Sequence, residues 1–124
     1  MKTLIALTLA LMGMAANAFD FSPGPTYSCG TYCNGYVTTD PTVTVDYANL
    51  RWTGSQYQTV LSLNGKVYSG YSPGTAINGP LYANDGTFVT LTNETTSYKR
   101  TCTTSGRGQH CTSWFWVVSG TVTP

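Results

Sequence analysis

The segment KRTCTTSGRGQHCTSWFW, from Lys99 to Trp116, concentrates the residues of this chain that could do chemistry. It holds two of the four cysteines, two of the three tryptophans, two of the three arginines and the sole histidine. A cysteine activated by histidine would be a nucleophile, and cysteines with histidine could ligate zinc. The spacing suits neither. His110 and Cys111 are adjacent, so on a strand their side chains point to opposite faces. Cys29 and Cys33 form C-x3-C, and Cys102 and Cys111 form C-x8-C; neither matches a short zinc knuckle. A serine hydrolase would need a histidine as its base, and His110 is the only one. A glycosidase needs two convergent carboxylates. Asp40 and Asp85 sit in turn sequences, Asp20 lies in what reads as an N-terminal coil, and nothing brings Asp46 to Glu94. The expectation is a non-catalytic protein without metal or cofactor, with His110 exposed at the base of a hairpin.

The chain opens MKTLIALTLALMGMAANA. Lys2, an apolar stretch from Leu4 to Ala16 and the small-x-small triplet Ala16-Asn17-Ala18 describe a secretory signal peptide, bacterial in style. The stretch is short of the roughly 20 residues that span a bilayer. Residues 1–18 are therefore expected to be removed, leaving one domain over 19–124, periplasmic or secreted and not membrane-spanning. That domain carries five basic and five acidic residues, scattered along the sequence. Such a neutral chain shows no basic stripe for a nucleic-acid backbone. Four cysteines in an exported chain are expected to be oxidised. Three pairings are possible. Loop entropy gives about 2.7 kcal/mol for Cys102–Cys111 and about 4.5 kcal/mol for Cys29–Cys102, which does not select the local pattern.

Stepping along the chain, Phe19 to Asn34 reads as irregular, cross-linked structure, with Pro23, Gly24 and Pro25 in it. Val43, Val45 and Tyr47 alternate with polar residues, as on a half-buried strand. Asn64-Gly65 between two alternating runs predicts a type I′ hairpin. Ser72 to Pro80 is a Gly/Pro-rich loop, and Asn84-Asp85-Gly86 is a second tight turn before a strand through Phe88, Val89 and Leu91. Asn93-Glu94-Thr95, a glycosylation triplet, marks a surface loop. Thr95–Thr104 and Cys111–Thr123 are two further strands around the turn Ser105–Gly108. If Cys102 faces Cys111, Arg100 faces Ser113 and Tyr98 faces Phe115. Many short strands, threonine, valine and aromatic residues, and no helical period predict an all-β domain. A small antiparallel β-barrel or sandwich with disulfides is expected.

From Tyr27 to about Thr104 the chain resembles the C-type lysozyme inhibitors exported by Gram-negative bacteria. The resemblance lies in YSC at 27–29, TVTVDYANL, TVLSLNGKVYSG, AINGPLYANDGTFVTLT and TC at 101–102. It implies an eight-stranded barrel, a Cys29–Cys102 link, and a loop at Gly79–Tyr82 that enters the lysozyme cleft. Asn78 stands where the family usually has serine, and NDGTFV replaces its aromatic–Lys–Gly segment. The expected function is inhibition of a secreted hydrolase such as lysozyme. The alternative is recognition of a glycan or a cell-envelope protein. The expected partner-binding residues are Gly79, Tyr82, Arg107, Trp114 and Trp116, with Arg107 at the tip of a stapled hairpin.

Overall fold

The computed structural model describes residues 17–29, 32–112 and 114–124. The apolar stretch of the expected signal peptide lies outside them, as does Ser113. Among the described residues there are ten strands and no helix. In chain order they are β1 (Phe19–Cys29), β2 (Cys33–Thr38), β3 (Val45–Trp52), β4 (Tyr57–Leu63), β5 (Lys66–Ser72), β6 (Pro80–Tyr82), β7 (Phe88–Lys99), β8 (Cys102–Ser105), β9 (Gly108–Cys111) and β10 (Phe115–Thr123). Eight form one sheet in the order β2-β1-β10-β7-β6-β5-β4-β3, and β8 with β9 forms a separate hairpin. Every neighbouring pair is antiparallel. The sheet curls until its two edges meet. There the Cys33 N–H donates to Asn49 Oδ1 at 2.8 Å and the Tyr36 hydroxyl to the Ala48 carbonyl at 3.4 Å. The result is a nearly closed barrel with a seam between β2 and β3.

Alternation fills the barrel. Phe19 and Phe21 of β1, Leu61 and Leu63 of β4, Val89 and Leu91 of β7, and Val118 and Val122 of β10 all point inward and are buried. Two bulges reset the alternation. One lies between Val45 and Tyr47 in β3. It turns Ala48 and Leu50 inward and leaves Tyr47 against Tyr32, ring centroids 4.5 Å apart, so Tyr47 does not continue the buried face of Val43 and Val45. The other lies opposite Ser119–Thr121 in β7, at Asn93, whose φ is +53°. It brings Glu94 to the interior in place of Asn93. The glycosylation triplet is therefore a strand bulge and not a loop. Gly120 faces this bulge, where a Cβ would lie 2.9 Å from Leu91 Cδ1.

Asn64 and Gly65 both have positive φ, +49° and +81°, as a type I′ turn requires. Gly86 closes the second turn, donating its N–H to the Ala83 carbonyl at 3.0 Å.

The structure corrects several expectations. Phe19 to Asn34 is not irregular: it supplies β1 and the start of β2, and Asp20 sits on a strand. Prolines are tolerated because the β1–β2 register slips between Pro23 and Ser28. The strands expected around Leu91 and over Thr95–Thr104 are one strand to Lys99, then a break before β8. The final strand is likewise broken between Cys111 and Phe115. In consequence Tyr98 faces Trp116 and Lys99 faces Phe115, one residue away from the expected register. The disulfides are local, Cys29–Cys33 and Cys102–Cys111, so the Cys29–Cys102 link implied by the resemblance does not form.

Candidate functional site

The antiparallel order gives the barrel two ends of different composition. One end gathers the β1–β2 connection, the β3–β4 turn and the β7-to-β10 excursion. There the inward alternation that supplies leucine and valine deeper down supplies rings. Trp52 follows Ala48 and Leu50 on β3, Tyr57 precedes Thr59 and Leu61 on β4, and Trp116 precedes Val118 on β10. Their centroids form a connected row: Trp52–Tyr57 at 5.0 Å, Tyr57–Trp116 at 6.0 Å, Trp116–Tyr98 at 4.7 Å and Tyr98–Trp114 at 5.2 Å. The last pair is stacked, 17° between planes, and the Arg100 guanidinium lies 4.8 Å from the Trp114 ring. Trp52, Tyr98 and Trp114 keep 55, 54 and 51% of their surface exposed, whereas Trp116 packs partly on the core.

A cleft of about 520 Å³ opens beside this row at the seam. Tyr32 and the Cys29–Cys33 disulfide form one wall, Arg51 and Trp52 another, and Tyr98, Trp114 and Trp116 the third. The Arg51 Nε–H donates to Gln58 Oε1 at 3.0 Å, which orients the guanidinium without neutralising it. The cleft joins Trp114 and Trp116, which the sequence singled out, to Tyr32, Arg51, Trp52 and Tyr98, which it did not. A tryptophan at a strand end beside an arginine, as in Leu50-Arg51-Trp52, was the available signal.

No protein-family model, no curated protein and no solved structure matches the chain.

The stapled hairpin is separate from the barrel sheet. Cys102 pairs with Cys111 in register, Ser105 with Gly108, and every residue from Thr101 to Thr112 is exposed. Arg107 occupies the turn, where its N–H donates to Ser105 Oγ at 3.3 Å. His110 is exposed on β9. Among the described residues, no group of histidine, cysteine or acidic side chains is placed to hold a metal ion. Also among them, no helix is long and apolar enough to cross a membrane. The cross-link is expected to hold the hairpin rather than the barrel. Replacing Cys102 and Cys111 together by serine should leave the barrel's cooperative unfolding in place. Trypsin cleavage after Arg100 and Arg107 should accelerate roughly tenfold or more, because closing this loop is worth about 2.7 kcal/mol. Timed digestion followed by mass spectrometry reads both sites.

Gly79 and Tyr82 lie elsewhere, beside a second recess that also involves Tyr71 and Ile77. They do not sit on a free loop. The Gly79 carbonyl accepts from Leu91 N–H at 2.9 Å, and Pro80 to Tyr82 pair with β7 as strand β6. Glu94 ties the preceding loop down: its carboxylate accepts from the Ile77 N–H, while its own N–H donates to Asn78 Oδ1 at 3.0 Å. Tyr82 stays half exposed against Phe88. Burial pushes the Glu94 carboxyl above the ordinary glutamate range, against the opposing pull of the Ile77 and Asn78 N–H groups and the Thr59 hydroxyl.

Proposed function

We propose that this protein is an exported, periplasmic or secreted, non-catalytic binding protein that recognises a glycan at the aromatic end of its barrel. The observation that carries this reading is the connected ring row from Trp52 to Trp114, half exposed along a cleft. Flat aromatic faces offer large, rigid contact area at low entropic cost. They suit the C–H face of a sugar ring, and polar groups at the rim, here Arg51 and Asn49, suit its hydroxyls. The cleft falls in the range of about 300–1,000 Å³ usual for small-ligand sites. Two disulfides fit an oxidising compartment.

A second reading, inhibition of a secreted hydrolase such as lysozyme, draws on the hairpin. A cross-linked, fully exposed β-turn with Arg107 at its tip is a preorganised insert for an enzyme cleft. Gly79–Tyr82 contributes less to it, being tied into the sheet.

Affinity electrophoresis in a panel of polysaccharides, run beside a lysozyme activity assay, separates the two. Trp52→Ala and Trp114→Ala should each weaken glycan retention about 5- to 150-fold, a hot-spot effect of about 1–3 kcal/mol, with little change in melting temperature. Retention by no polysaccharide, together with suppression of lysozyme, would transfer the function to the hairpin.

A further inference from the structure

The neutral composition conceals a segregated charge distribution. Residues 19–124 contain five cations: Arg51, Lys66, Lys99, Arg100 and Arg107. Four of them are at the aromatic end. Arg51 lines the cleft, Lys99 ends β7 beside it with Arg100 following, and Arg107 tips the hairpin after them. All four are exposed. Among the described residues the single ion pair is Lys66–Asp85, 2.7 Å, at the opposite end. That end also holds the other aspartates. Asp20 accepts from the Thr121 hydroxyl, Asp40 caps the turn through Thr42, and Asp46 accepts from the Gly65 N–H and the Ser62 hydroxyl. The remaining acid, Glu94, is buried mid-barrel. No acidic side chain lines the cleft.

The residues that give the cleft its stacking surface therefore share one end with cations that have no acidic partner. We propose that the glycan taken there is anionic, a sugar chain bearing carboxylate or phosphate groups. This rests on the glycan reading above and adds the charge. Arginine suits the role because its planar guanidinium pairs with carboxylate or phosphate in a fork while still lying on a ring, as Arg100 does on Trp114. Cations gathered at one end also steer an anion toward it, and the steering is lost as salt rises.

The central comparison, acid against ester, keeps the sugar ring constant and changes the charge. An oligogalacturonate hexamer, its fully methyl-esterified form, a phosphomannan oligosaccharide and a dT12 oligonucleotide are titrated by calorimetry at 20 and 300 mM salt. The free acid or the phosphomannan should bind at least tenfold more tightly than the ester at low salt, and that preference should shrink at high salt. The two anionic sugars differ in which group is read, carboxylate or phosphate. Arg51→Gln and Arg100→Gln should each weaken the anionic sugars several-fold more than the ester, and retained ester binding also shows that the stacking surface has survived. Equal binding of acid, phosphomannan and ester would overturn the anionic specificity while leaving the glycan reading intact. Binding of none of the sugars would overturn both. Tighter binding of dT12 than of any sugar would assign the cationic end to nucleic acid and overturn the proposal.

Discussion

Phe21→Ala is expected to destabilise the protein by about 3–5 kcal/mol, the usual cost of removing a buried phenyl group and leaving its cavity. Phe21 is 2% exposed, on the strand between β2 and β10. Its backbone faces Gly120 of β10 on one side and Thr38 of β2 on the other. Its ring meets Tyr36 edge to face at 5.5 Å, and Tyr36 in turn crosses the seam to Ala48. The loss would reach both the packing and the closure, against a total stability of about 5–15 kcal/mol for a typical domain. Urea unfolding followed by tryptophan fluorescence measures it. Phe88→Ala supplies the contrast. That ring is 54% exposed beside Tyr82, and its removal should change stability by about 0.5 kcal/mol or less. Equal losses from the two substitutions would mean that Phe21 does not pack in the barrel core as described.

The parts of this fold that were legible in the sequence are local. Asn64-Gly65 could be read because two residues with positive φ in a row favour those types. The Cys102–Cys111 hairpin could be read because its turn and flanks lie within a dozen residues. The N-terminal strand could not. Pro23, Gly24 and Pro25 are breakers in isolation, and only the slipped β1–β2 pairing makes them acceptable. Gly24 fits closely there: a Cβ on it would come 2.6 Å from Val37 Cγ1.

The candidate site was half legible for a related reason. Trp114 and Trp116 stood out as a local pair. Tyr98 joins them through the β7–β10 pairing, one residue off the register expected from the sequence, and Trp52 only because β3 and β10 converge around the barrel, an arrangement that no window of sequence contains. The charge pattern is hidden in the same way. In an up-and-down sheet, residues at the start of one strand and the end of the next share a barrel end. A sequence with alternating, scattered charges can therefore fold into one cationic and one acidic pole. Bulges hid the rest, since a single extra residue reverses which side chains point inward.

The Asn93 bulge leads to the last prediction, because it makes Glu94 a pH-sensitive element of stability. Glu94 is 8% exposed, and its Oε2 is buried without a hydrogen-bond partner. Its other interactions hold the Ile77–Asn78 segment against the barrel. Glu94→Ala should cost roughly 3 kcal/mol, the upper range for stranding buried hydrogen-bonding groups. Glu94→Gln should behave differently. Burial raises the folded-state pKa above the unfolded value, so the native state binds the proton more tightly. That contribution to stability is fully present below the ordinary glutamate range and is lost as pH rises through the raised pKa. Glutamine keeps a carbonyl acceptor for the Ile77 N–H and never ionises, so the variant should lack this loss. The surface carboxyls Asp40 and Asp85 are held below their ordinary range by hydrogen bonds, Asp40 by Thr42 and Asp85 chiefly by Lys66, and push stability the opposite way at acid pH. They are common to both proteins and cancel in the difference. The stability of Glu94→Gln minus that of the parent, from urea midpoints between pH 4 and pH 8, should therefore grow with pH. A difference that is flat or falls with pH would mean that the buried carboxylate is fully compensated by the Ile77 clamp.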